Sequence, residues 1–281
     1  MHKQEIQTKF FQLGQENLWQ KIEPLLKPSI RMQIERASED HFFLGQSRIG
    51  GHPDLPLGFK WADLTWKNQP LSFIAQFSLS ELAPYDISNQ LPKEGWLYFF
   101  YPADEQPYCC ENKKRNEFKI IYSKQEPTQR YDYPEDLPVY LSPVKLHFSP
   151  DWTLPDYDAV VLSTLALGDH EKQVYKEIFV SLRDESQPIH RLLGYADQIQ
   201  PNDLGQLCSI YEQDLTPSQM KRAPKKFLKD ALSWQLLLQL DTLEEADMAW
   251  GGDGGRLYFF IREQDLKNHD FTQAWFLVED N

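Results

Sequence analysis

The chain has 281 residues, a formal net charge of -13 and a pI near 5.0, a balance that excludes a nucleic-acid backbone as partner, since that surface demands a concentrated basic patch. Its length suits one large domain or two of about 140 residues, and 14% aromatic residues with 19 prolines and only 13 glycines predict many short strands and proline-braced loops. The three cysteines (adjacent Cys109 and Cys110, and Cys208 alone) make no disulfide framework and no Cys-x-x-Cys spacing.

Reduced thiols fit a cytoplasmic protein. So do an opening segment without the apolar core of a signal peptide and the lack of any run of about 18 apolar residues, which removes the membrane as a partner.

In chain order, Ile6, Phe10, Leu13, Leu18, Ile22 and Leu25 recur at helical spacing and predict an amphipathic helix bent near Gly14 and closed by Pro24 and Pro28. Over 29–35, Ile30, Met32 and Ile34 alternate with polar residues, the period of a half-buried strand. Residues 42–49 read as a second strand running into Gly50-Gly-His-Pro-Asp-Leu-Pro-Leu-Gly58. There glycines admit positive φ and prolines lock φ, so the loop is rigid, with Trp61 beneath it. Further strands are expected at 71–79, 95–100, 118–122 and 143–148.

Turn residues over 150–158 set a boundary that divides the chain into an N-terminal half, 1–150, and a C-terminal half, 151–281, packed as one unit. Asp151, Asp156 and Asp158 lack the glycine and terminal glutamate of a calcium loop and read as turn or capping residues. A core-packing helix is expected over 169–185, helix starts at 216–220 and 224–232, and a final strand or short helix at 271–278. The basic clusters at 113–115 and 221–226 read as solvated charge.

Three blocks occur twice in the same order. Arg48-Ile-Gly-Gly51 returns as Arg191-Leu-Leu-Gly194 at an offset of 143, Gln76 in its apolar run as Gln239 at 163, and Leu97-Tyr-Phe-Phe100 as Leu257-Tyr-Phe-Phe260 at 160. The offsets predict an internal duplication whose second copy carries about twenty extra residues. The expected fold class is α+β, with mainly antiparallel β-sheets in two pseudo-repeated halves and flanking helices. These blocks, with Trp61, Phe73-Ile-Ala-Gln-Phe77 and Asp253-Gly-Gly-Arg256, resemble the YwqG-like family of bacterial proteins over nearly the whole chain from Arg48. The resemblance implies a cytoplasmic mixed α and β protein and carries over no catalytic residue.

The residues themselves indicate no catalytic group, metal or cofactor. The seven histidines are scattered with no His-Glu-x-x-His, there is no Gly-x-Ser-x-Gly, and Gly251-Gly-Asp-Gly-Gly255 lacks the lysine of a phosphate loop and reads as a tight turn. Arg48 either meets an anion or braces its loop. Gln76 and Gln239, amides in apolar strands, are either sheet-to-loop clamps or ligand contacts. The expected function is a non-catalytic binding or interaction protein, holding a small molecule or a protein segment in a polar cleft between the halves lined by Arg48, Gln76, Arg191, Gln239 and Asp253. The alternative is a hydrolase using Asp253 with His52 or His190 as acid and base. Exposed aromatics such as Trp250 and Trp275 would instead serve a protein partner.

Overall fold

Apolar runs bounded by glycine and proline turns become antiparallel strands, and ten of them join in one sheet. The computed structural model describes residues 1–109, 116–183, 187–213, 225–252 and 254–280; Asp253, Cys110, the basic residues 113–115, 221 and 222, and the helix start at 216–220 lie outside them. In chain order the elements are α1 (Lys3–Gln12), α2 (Glu16–Ile22), β1 (Lys27–Arg36), β2 (Arg48–Ile49), β3 (Asp54–Leu55), β4 (Thr65–Trp66), β5 (Gln69–Pro70), β6 (Ser72–Ser78), α3 (Leu79–Leu82), β7 (Trp96–Tyr101) and β8 (Lys119–Ser123). There follow β9 (Gln129–Arg130), β10 (Val144–Thr153), α4 (Asp169–Leu182), β11 (His190–Leu192), α5 (Leu204–Glu212), α6 (Lys225–Ala231), β12 (Trp234–Asp241), β13 (Gly255–Arg262) and β14 (Trp275–Asp280). The large sheet runs β14-β13-β12-β11-β1-β10-β2-β6-β7-β8, with β3–β9 and β4–β5 as small separate pairs. The fold is α+β.

Outward from the central β1–β10 pair, both wings have the same order: an arginine strand (β2 or β11), a glutamine strand (β6 or β12), a Leu-Tyr-Phe-Phe strand (β7 or β13) and a closing strand (β8 or β14). The lead strands are exchanged. β1 precedes β2 in the chain yet borders β11, with Ile30 opposite Leu192, and β10 borders β2, with Val144 opposite Ile49. Both glutamine strands carry a bulge two residues before the glutamine, between Phe73 and Ala75 and between Leu236 and Leu238.

The sheet curls so that its wings enclose the main core. Phe99 of β7 meets Phe259 of β13 at 5.1 Å between ring centroids, and Tyr101 meets Phe276 at 5.1 Å. Because alternate residues of a strand face opposite sides, Tyr98 and Phe100 point away from this core into a second cluster with Leu55, Trp61, Leu71 and Phe73. A third cluster joins α1 and α2 to α4 through Phe10, Trp19, Tyr175 and Ile178.

Several expectations change in detail. The N-terminal helix is two helices, divided at Gly14 with φ +66°. Only Arg48–Ile49 of the strand expected over 42–49 forms, because the carbonyls of Phe42 and Phe43 accept from Arg130 and that of Gln46 accepts from Gln76, which removes them from a ladder. β10 runs unbroken through residues 150 and 151. Trp250 and Trp275 are fully buried in the core, so neither offers an exposed aromatic surface. The final segment is a 3-10 turn, Phe271–Gln273, followed by β14.

Candidate functional site

Arg48 stands opposite Gln76 across β2–β6, and Gln76 opposite Tyr98 across β6–β7, so one row of polar groups crosses three apolar strands. Burial on this scale demands partners, and the loop 45–54 supplies them. Gln76 Oε1 accepts from Asp54 N at 2.8 Å, while its Nε2 donates to Gln46 O at 2.8 Å and Asp54 Oδ2 at 3.1 Å. Arg48, fully buried over the Phe42 ring, pairs with Asp54 at 3.0 Å and Glu39 at 2.7 Å. Gly50 and Gly51, both at positive φ, let the loop pass where a Cβ would collide with Ser142 O and with Glu39. Burial first, then the Asp54 charge, holds the Tyr98 hydroxyl well above its ordinary pKa, and that hydroxyl has no hydrogen-bond partner among the described residues.

The other wing makes the same set of bonds. Arg191 stands opposite Gln239, and Gln239 opposite Tyr258. Gln239 Oε1 accepts from Asp197 N at 2.8 Å, and its Nε2 donates to Ile189 O at 2.9 Å and Asp197 Oδ2 at 3.1 Å. Arg191 pairs with Asp197 at 2.9 Å and Asp151 at 3.5 Å. The positive φ pair falls on Leu193 and Gly194. Asp54 and Asp197, the residues that complete each clamp, were missed by sequence reasoning. They lie six residues after their arginines in both copies, which the Arg48–Arg191 offset would have disclosed.

Four of the five residues expected to line one cleft are thus two separate clamps. β1 and β10 lie between β2 and β11, which at about 4.8 Å per strand sets the arginine strands on the order of 14 Å apart. Asp253 lies outside the described residues; its neighbours Gly252 and Gly254 both have positive φ. His190 is buried, with Nδ1 accepting from Asp241 N at 3.1 Å and Nε2 without a partner among the described residues, and burial pushes its pKa down to about 4. His52 Nδ1 lies 3.0 Å from Tyr131 O, and its ring packs on Tyr133. Among the described residues no group of His, Cys, Asp and Glu could hold a metal ion, and no helix is long and apolar enough to cross a membrane.

Open volume lies elsewhere. A cavity of about 370 Å³ is walled by α5, α6 and the outer face of β12–β13, with Ala196, Leu204, Trp234, Leu236 and Phe260 among its lining. A second, of about 460 Å³, lies between the loop 88–91 of the first wing and residues 263–269 of the second. Lys27, Gln235 and Glu263 line both, so Lys27 stands where they meet. Its ammonium lies 4.7 Å from the centre of the Tyr195 ring and makes no ion pair with a described residue; burial lowers its pKa against the pull of Glu263 and Asp203. The acids around it are occupied. Glu263 bonds Lys267 at 2.5 Å, Asp203 accepts from the backbone of Val160 and Gln206, and Asp156 accepts from Asp158 N and pairs with Arg183. Burial raises the pKa of Asp156.

Residues 47–279 match the family model described as a domain of unknown function, DUF1963. The chain belongs to that family. It matches no curated protein. The matched span holds the second clamp, all of the first except Glu39 and the Gln46 carbonyl, and all of the cavity lining except that from Pro24 to Lys27.

Proposed function

We propose that this DUF1963 chain is a non-catalytic, cytoplasmic binding protein built by internal duplication, and that its ligand site is the cleft around Lys27 between the two wings. The observation that carries the reading is an ammonium at the junction of two cavities that makes no ion pair with a described residue, since a buried or half-buried charge ordinarily has a close partner. A volume of about 370 Å³ with both apolar and polar lining suits a small organic molecule. The duplication is supported by the matching clamp bonds, bulges and strand orders. The narrower YwqG-like assignment belongs to the same proposal, resting on the residue blocks that suggested it. In this reading Arg48, Gln76, Arg191 and Gln239 hold loops, and the ligand meets other residues.

The test is a thermal-shift screen of the purified chain against small metabolites, repeated on Lys27→Met. A specific ligand stabilises by mass action. The expected result is a compound that raises the wild-type Tm and loses most of that effect in Lys27→Met. A shift retained in full by Lys27→Met places the ligand outside this cleft and overturns the proposal.

A further inference from the structure

The two wings treat one equivalent spot differently. In the first, Trp61 is 3% exposed, lies 6.3 Å from Phe73 and 6.0 Å from Phe100 between ring centroids, and donates Nε1 to Leu71 O at 2.8 Å. By the offsets of the repeated blocks, Leu71, Phe73 and Phe100 correspond to Trp234, Leu236 and Phe260, and Leu55 to Gln198. Those four counterparts all line the 370 Å³ cavity. Where the first wing has a tryptophan plug, the second has open space. Trp234 adds a buried indole N–H that donates to no described residue.

Lys27 is the second difference. Since Ile30 pairs with Leu192 as Val144 pairs with Ile49, the residue three before each is equivalent, and Lys27 corresponds to Leu141, which is buried in the core. Its Tyr195 platform corresponds to His52. The second wing therefore has, at one place, an open site whose apolar side is Leu204, Trp234, Leu236 and Phe260, and a cation that the first lacks.

We propose that the cavity binds a small organic anion with an aromatic or similarly flat apolar body, the body standing where Trp61 stands in the other wing and the anionic group pairing with Lys27. The inference rests on the binding reading above and adds the ligand class. The apolar side of the cavity favours the body, and a carboxylate or comparable anion supplies the ion pair that no described residue gives the ammonium.

Isothermal titration with three probes tests it: 2-naphthoate, the neutral 2-naphthalenemethanol of the same shape, and acetate. The proteins are wild type, Lys27→Met and Ala196→Trp, the last placing a ring in the cavity from its wall. Wild type is expected to bind 2-naphthoate at least about tenfold more tightly than the alcohol, the worth of one charge-assisted hydrogen bond, and to show no acetate binding. Lys27→Met is expected to erase that difference, and Ala196→Trp, folded by circular dichroism, to bind neither naphthalene. Equal binding of acid and alcohol to wild type, or an advantage of the acid that persists in Lys27→Met, overturns the anion class and leaves the cavity as a binding site. No naphthalene binding to wild type, or binding undiminished in folded Ala196→Trp, overturns the cavity itself as the site.

Discussion

Asp54 offers the sharpest test of the clamps, because its carboxylate is fully buried and serves four donors. Its oxygens accept from Gly45 N, Arg48, Gln76 and Arg130 at 2.8–3.1 Å. Asp54→Asn keeps the shape, removes the charge and turns an NH₂ toward groups that also donate. Arg48, itself fully buried, is left with Glu39, whose side chain is 32% exposed. Removing one partner of a buried ion pair costs about 3–5 kcal/mol. The matching change in the second wing, Asp197→Asn, is milder. Its carboxylate is 15% exposed and Arg191 retains Asp151 at 3.5 Å, so a loss of about 1–2 kcal/mol is expected. Urea unfolding reads both as a fall in midpoint at constant slope, and at about 2–4 °C per kcal/mol the drop in Tm is roughly 6–20 °C against roughly 2–8 °C. If Asp54→Asn costs less than about 1 kcal/mol, or if Asp197→Asn costs as much as Asp54→Asn, the ranking by burial and donor count is refuted.

Two further predictions follow from the same geometry. His190 is buried neutral with a pKa near 4 instead of 6.5, so between those values the unfolded chain binds a proton that the folded chain does not. Its contribution is constant above pH 6.5 and is lost as pH falls, by up to about 1.4 kcal/mol per pH unit. His190→Asn, whose amide oxygen can still accept from Asp241 N, should show a shallower acid-side loss of stability in unfolding measured from pH 7 to 4; an unchanged slope counts against the buried-neutral assignment. Trp61→Ala should cost about 3–5 kcal/mol and open the counterpart of the second-wing cavity, so added indole should recover part of the lost Tm. Neither a small cost nor an absent rescue is compatible with Trp61 as a plug.

The strands were legible because their pattern is local: Ile30, Met32 and Ile34 alternate, and Leu-Tyr-Phe-Phe is written twice between glycine turns. The clamps were half legible. Arg48 with Gln76 and Arg191 with Gln239 stood out as polar residues in apolar surroundings, but their acidic partners lie on loops that come close only once the strands pair. Residues 42–47 misled, since an apolar run does not reveal that Arg130, more than eighty positions on, takes its carbonyls. The cavity was not legible at all. It depends on the second copy having no tryptophan in the stretch that corresponds to Trp61 and on exchange of the lead strands, which carries Lys27 from the start of the chain to the far wing; a lone lysine at the head of a strand gives no sign of that.

The clamps and the cavity are connected through one loop, and this separates scaffold from site. Gln239 fixes the backbone at Ile189 O and Asp197 N, the two ends of the segment that carries Tyr195 and Ala196 into the cavity wall. Gln76 fixes the equivalent segment, Gln46 O to Asp54 N, in a wing whose corresponding space Trp61 fills. Gln→Met at either position removes an amide of similar length and strands buried groups, so both variants should lose about 1–3 kcal/mol in urea unfolding. Only Gln239→Met releases the loop beneath Lys27. At a temperature where both variants are folded, 2-naphthoate should bind Gln76→Met as it binds wild type and bind Gln239→Met several-fold more weakly, through Tyr195 and without any direct contact by Gln239. Equal binding by the two variants would show that the clamp holds the sheet together but does not set the Tyr195 platform, and equal weakening would show that affinity tracks overall stability and not this loop.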